Sequence, residues 1–177
     1  MDDSIVVVDY NSNWPILYEE ENQRLLDAIG EDVLDIQHIG STSVPGLAAK
    51  PIIDMVASLR HFPPSASLIS ALEELGYHYQ GELGVPGRHF FRRGSPRSHH
   101  LHLVEPNSEV WQKQVLFRDF LRTHPEAAQR YDTLKRELAV QYRCDRTAYV
   151  NAKAPLIAEL IAAANEGRRK KKNATNN

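Results

Sequence analysis

The chain of 177 residues is poor in cysteine: Cys144 stands alone, so no internal disulfide can form. One thiol is compatible with a reducing compartment. Long apolar runs are missing as well. The N-terminus, "MDDSIVVVDYNSNWP", begins acidic and has only about four consecutive apolar residues. That is too short for a signal peptide, and no stretch approaches a membrane span. A cytoplasmic location is expected, with no membrane partner. Several motifs are missing too: there is no C-x-x-C, H-E-x-x-H, G-x-S-x-G or G-x-G-x-x-G, and the glycines do not match a Walker A loop.

What is present is ordinary globular composition, 42 % hydrophobic and 25 % charged, in a length suited to one domain with a substantial core. Net charge is only −2, but it is unevenly placed. The tail "GRRKKKNATNN" holds Arg168, Arg169, Lys170, Lys171 and Lys172. Removing those five cations leaves 16 Lys and Arg against 23 Asp and Glu, about −7. We expect a domain over 1–166 and a basic, disordered, solubilising tail over 167–177. Such a tail lacks interleaved aromatics, so no specific nucleic-acid partner is expected.

Periodicity gives the element order. "IVVVDY" (5–10) is a strand or extended lead-in. "NSNWPILYEEENQRLLDAIG" reads as a helix with Asn13 as N-cap and Pro15 in its first turn. "VLDIQHIGS" and "PIIDMVASL" are strands, "SASLISALEELGY" is an amphipathic helix ended by Gly76, and "RHFFRR" with "HHLHLVE" forms a hairpin around "GSPR". The last third is helical. Thr123 and Glu126 make a capping-box pattern, and Pro155 is expected to start, break or kink the final helix. The fold class is α+β, a mixed sheet backed by helices with a helical C-terminal third.

Three groups carry chemistry. Gly40, Ser41, Thr42 and Ser43 form a small polar turn that suits phosphate oxygens, with Lys50 near in sequence. The same turn would equally serve as a cap for a short helix. Asp54 is an acid inside an apolar strand, costly to bury unless paired or bound to a cation. Strand alternation puts His100, His102 and Val104 on one face, and the two imidazoles could serve one metal or one phosphate. Arg88, Phe90 and Arg92 share a face of the neighbouring strand, in a register that sequence leaves open. Glu105 ends the strand as a further candidate ligand, and Cys144 reads as a small half-buried thiol.

"HIGSTSVPGLAAKPIIDMV" with "HHLHLVE", continued by "FRDFLRTHPEAAQRYDTLKRELA" and "YVNAKAPLI", resembles the GrpB family over nearly all of 5–164. It is similar also to the domain fused to some dephospho-CoA kinases. The resemblance implies a nucleotidyltransferase-like fold, with Gly40-Ser41 leaving one strand to hold nucleotide phosphates and Asp54 on the next binding a divalent metal, Mg, Mn or Zn. It implies Asp54 and His102 as catalytic positions and Asp54, His100 and His102 as metal ligands. Arg92, Arg118, Lys135, Tyr149 and Lys153 become auxiliary candidates. The family pattern has a second acid where this chain has Val56, and His102 stands where a third would be. That departure favours a nucleotide- or phosphometabolite-binding protein with lost or altered transferase activity. The ligand would be a nucleotide or a coenzyme A-related molecule, and a kinase the expected protein partner. The alternatives are an active metal-dependent nucleotidyltransferase and a histidine-assisted phosphohydrolase.

Overall fold

The computed structural model describes residues 4–175. Helix α1 (Trp14–Ile29) opens the fold and leads into strand β1 (Val33–Ile39). A 3₁₀ turn (Ser41–Ser43) and a linker then reach β2 (Ile53–Leu59). Helix α2 (Ala66–Glu74) follows, then β3 (Tyr77–Tyr79), β4 (Arg88–Arg93) and β5 (His99–Val104). Three helices close the chain: α3 (Glu109–Thr123), α4 (Pro125–Gln141) and α5 (Arg146–Thr175). The class is α+β, as the periodicity predicts.

The five strands lie in the order β1-β2-β5-β4-β3. β2 and β5 are parallel, joined by a crossover that carries α2, β3 and β4, and the other pairs are antiparallel. Alternation divides the sheet into two faces. Met55, Ala57, Leu59, Leu101, Leu103 and Phe91 turn toward α1 and α2, where Leu25, Ile29, Leu68 and Leu72 complete the main core. Each Leu, Ile, Met or Phe side chain among them, taken from water to full burial, contributes roughly 1.5–3 kcal/mol. Asp54, Val56, His100, His102 and Phe90 belong to the other face, where Val110 and Trp111 of α3 pack on Ile39, Val56 and Val104. A third cluster joins the C-terminal helices to the turn after β1, through Val44, Leu47, Leu121, Tyr131 and Leu160.

"IVVVDY" makes one bridge, Val8 with Ala49, and is the extended lead-in of the two alternatives the sequence left open. Local chemistry departs from the sequence reading at several points. The Asn13 backbone N–H donates to the Asn11 side chain, and Asn13 makes no side-chain cap bond. The expected capping box does not form: the Thr123 hydroxyl donates back to Asp119 and Phe120 carbonyls of α3, leaving His124 at the cap position. Helix α5 runs through Pro155 without ending. The basic segment expected to be disordered continues α5 as far as Thr175, while Asn176 and Asn177 lie outside the described residues. Lys and Arg are good helix formers and sit at the negative end of the helix dipole. The Cys144 thiol is exposed rather than half-buried. Strand β3 was invisible to periodicity because it has only three residues. Among the described residues, no helix is long and apolar enough to cross a membrane.

Candidate functional site

Asp54 sits within β2 because its neighbours Ile53 and Met55 are needed on the opposite, core face. Strand register then places it beside Ile39 of β1 and His100 of β5, with Arg92 of β4 one strand further on. The His100 Nδ1–H donates to Asp54 Oδ1 at 2.8 Å. Burial alone would raise the Asp54 carboxyl, but the hydrogen bond from His100 and the charge of Lys50 overcome it and hold the group below its usual range. Asp54 is thus an ionised, oriented carboxylate.

Gly40 makes this geometry possible. Its φ is +69°, and a Cβ there would lie 2.7 Å from Asp54 Oδ2. Glycine is required for both the backbone conformation and the close approach of the carboxylate. The turn after it is fixed from behind. Arg122 donates two hydrogen bonds to the Ser43 carbonyl, at 2.9 and 2.7 Å, and the buried Arg118 donates to the His38 carbonyl at 3.0 Å. The Thr42 hydroxyl bonds His38 Nε2 at 3.0 Å and the Ile52 carbonyl at 3.3 Å. Ser43 Oγ donates to the Gly40 carbonyl at 2.6 Å. Thr42 and Ser43 therefore spend their hydroxyls on holding the turn's shape, whereas Ser41 points its hydroxyl toward α4.

From α4 the Lys135 ammonium reaches back to the turn, donating to Ser41 Oγ at 3.1 Å and to the Ala48 carbonyl. Burial, with Lys153 and Arg136 adding like charge, pulls Lys135 down to about 7 against the opposing pull of Asp132. Lys153 lies 4.2 Å above the Tyr149 ring and is pulled to about 8, first by burial and then by Lys50. Lys50 lies 5.5 Å from the same ring. Tyr149 is fully buried, and both lysines approach its ring.

These groups meet at a cavity of about 660 Å³ between the sheet and the C-terminal helices, a volume in the range of small-molecule sites. Gly40, Ser41, Thr42, Lys50, Asp54, His100, Lys135, Tyr149 and Lys153 line it, so most of the sequence-predicted residues converge. Ser43, Arg92 and His102 are not among the lining residues. Ser43 is behind the turn. Arg92 stacks along Phe90, 5.4 Å from its ring. His102 lies beside Val56 and Phe90, with burial first among the causes that take it down to about 3, so its ring is neutral. Glu105 is exposed. Arg88, which the sequence placed on one strand face with Phe90 and Arg92, also lines the cavity, whereas sequence reasoning missed Lys113, Tyr131 and the loop residues Val85 and Pro86. The four-residue spacing of Tyr131 and Lys135 puts them on one helical face and was a usable signal for Tyr131. The rest depend on tertiary placement.

The expected metal set does not fit. Among the described residues no three His, Cys, Asp or Glu side chains are grouped to hold a metal ion. His100 Nδ1 carries the proton it gives to Asp54, so that nitrogen has no lone pair to offer. His100 Nε2 and His102 Nδ1 are buried without a hydrogen-bond partner among the described residues, and His102 lies outside the cavity. One carboxylate already bonded to an imidazole is a poor cage for a hard cation.

The mixed sheet and the helical third together define an α+β domain with a charged, ligand-sized cavity between them. The chain belongs to the GrpB family: the family model described as "GrpB protein" matches residues 4–163. It is 36 % identical to UPF0157 protein YqkA of Bacillus subtilis over 98 % of this chain, though it spans only 50 % of that relative's length. It is 31 % identical to the glutamate-rich protein GrpB of Alkalihalophilus pseudofirmus, covering 89 % of this chain and 94 % of the other. A dephospho-CoA kinase of Mycolicibacterium paratuberculosis is 27 % identical over 80 % of this chain and 41 % of the kinase. Among solved structures, the crystal structure of conserved protein GrpB from Enterococcus faecalis superposes with a TM-score of 0.86 at 36 % identity, covering 92 % of this chain and 99 % of that one.

Proposed function

We propose that this protein binds a phosphorylated small molecule, of the nucleotide or coenzyme A-precursor kind, in the cavity between the sheet and the C-terminal helices. The observation that carries the reading is the charge of the walls. Lys50, Lys113, Lys135, Lys153 and Arg88 face Asp54 and Glu109 there. Asp54 is engaged by His100, and Glu109 by Lys113 at 2.6 Å. Lysines held below their ordinary pKa gain most from an arriving anion, because it stabilises the protonated form that burial penalises. Val110, Phe117, Ile157 and Ile161 form an apolar wall suited to the non-phosphate part of the ligand. Kinship with a chain named dephospho-CoA kinase supports placing coenzyme A precursors beside nucleotides as candidates, and a kinase among candidate protein partners.

The test is a thermal-shift panel of nucleotides and coenzyme A precursors, each with and without Mg²⁺, Mn²⁺ and Zn²⁺. A ligand at about 100 times its Kd adds roughly 2.7 kcal/mol, a shift of several degrees. The expected result is stabilisation by one phosphorylated compound that is lost in Lys153→Met. A panel in which nothing phosphorylated shifts the melting point, inorganic tripolyphosphate included, overturns the reading.

A further inference from the structure

We propose that Ser41 is a nucleophile activated by Lys135, and that it takes a phosphoryl group from a phosphoanhydride held in the cavity; the choice of substrate rests on the phosphate reading above.

A serine hydroxyl is a weak nucleophile until a neighbouring base takes its proton. An ordinary lysine cannot do so near neutrality, since it is already protonated. Lys135 differs in place and partners. It is 3 % exposed, its Nζ lies 3.1 Å from Ser41 Oγ, and that distance is within reach for direct proton transfer. Its other contacts are the Ala48 carbonyl and the ring of Tyr131, 4.8 Å away. A neutral amine has two N–H groups and one lone pair. With one N–H given to Ala48, the lone pair is available to the Ser41 hydroxyl.

The charges around the amine agree. Lys153 of α5 and Arg136 of its own helix disfavour its protonated form, and Asp132 favours it. The Asp132 carboxylate is occupied, accepting from the Ala48 N–H at 2.9 Å and from Arg136 at 2.8 Å. Burial is the largest influence and leaves the amine titrating at about 7, where a general base is most useful. Tyr131, one turn before Lys135, also hydrogen-bonds Ser41 and stays protonated, its pKa raised by burial. Neither the Asp54–His100 pair nor the residues that shape the turn from behind are needed for this step. Thr42 and Ser43, by contrast, have their hydroxyls committed to the turn itself.

The step balances without a further reagent. The Ser41 hydroxyl proton passes to Lys135 Nζ, the Oγ–P bond forms, and the anhydride P–O bond breaks. The electron pair leaves on the departing phosphate, with Lys50, Lys153 and Arg88 lining the cavity to receive its charge. Water then attacks phosphorus, the Oγ–P bond breaks, the water's protons leave with the released phosphate, and Lys135 returns its proton to Ser41.

The experiment uses the full chain and a fluorophosphonate, which reacts with activated serines whatever their natural ligand, with peptide mass mapping of the adduct. Ser41 should be labelled at least ten-fold faster than any other serine. Labelling should vanish in Ser41→Ala, fall about 100-fold or more in Lys135→Met, and be slowed by tripolyphosphate. If Lys135→Met does not fold, the wild-type pH profile decides: the rate should rise through about pH 7, and a flat profile overturns Lys135 as the base. Absence of labelling at Ser41 while tripolyphosphate still raises the melting point overturns the nucleophile and leaves the binding reading standing. Labelling that tripolyphosphate does not slow overturns the phosphoanhydride substrate and the binding reading with it.

Discussion

On the face of the sheet covered by α1 and α2, the buried charge is Glu21. Its carboxylate accepts from Arg24 at 2.7 Å, from Arg93, and from the Tyr77 hydroxyl at 2.9 Å. Burial would raise its pKa, but these partners win and hold it low. On the opposite face Lys135 is a buried charge of the other kind, where burial and like-charged neighbours win and Asp132 loses. The two sites are similar in depth and opposite in outcome. A charge satisfied from three sides joins α1 to β3 and β4, and is structural. A charge left destabilised inside a cavity is a group waiting for an anion or a proton, and this is the pattern associated with functional sites.

The largest effect expected from breaking this comparison comes from acid, which acts on both faces. Burial is the first cause of the low values of His38, on the α1 side, at about 4, and His102, on the cavity side, at about 3. Both lie below the unfolded value of about 6.5. The unfolded chain therefore binds more protons in that window, so stability present above about pH 6.5 is lost as pH falls toward about 4 and 3. Each histidine contributes roughly 1.4 kcal/mol for each pH unit crossed. The urea midpoint should drop steeply between pH 7 and pH 5; a level midpoint would mean that neither ring is held neutral.

Glu21→Gln comes next. It leaves Arg93 and Arg24 without their carboxylate and should cost roughly 2–4 kcal/mol, at the low end for a buried pair because both arginines keep some water. Denaturant unfolding of the variant checks it, and a loss under about 0.5 kcal/mol would remove the structural side of the contrast. Gly40→Ala should cost about 1–3 kcal/mol through the positive φ and the clash with Asp54, and it should weaken tripolyphosphate binding in the same sample by calorimetry.

Lys153→Met should behave oppositely to Glu21→Gln. The folded values of Lys153, about 8, and Lys135, about 7, lie below the unfolded lysine value, so the unfolded chain binds more protons up to about pH 10.5 and stability rises with pH across that range. Removing Lys153 should flatten the rise and change stability at pH 7 by only about 0 to +1 kcal/mol, the lost contact with Tyr149 offsetting part of the gain. Thermal melts at pH 7 and 9 read both quantities. The smallest effect belongs to Arg130→Ala, which breaks a solvent-exposed pair with Glu159 and should cost under about 0.5 kcal/mol.

Much of this was legible in the chain itself. Gly40, Ser41, Lys50 and Asp54 stand out because a tight turn and an acid inside an apolar strand are local anomalies, and His100 because alternation assigns its face. Alternation also makes Met55 and Leu101 core residues whichever neighbour they meet. The helical C-terminal third follows from its spacing and its lack of internal glycine until Gly167.

Tertiary structure decided what those residues meet. Register, which no single strand encodes, set Asp54 beside His100 and moved Arg92 and His102 away from the cavity. Packing of α4 on the turn brought Lys135 to Ser41 across 94 residues of chain, and burial there changed the chemistry of the amine. Local bonds to His38, Ile52 and Gly40 occupy the Thr42 and Ser43 hydroxyls in holding the turn. Residue types and their spacing are properties of the chain, whereas solvation, pairing and pKa belong to the environment that distant segments build together.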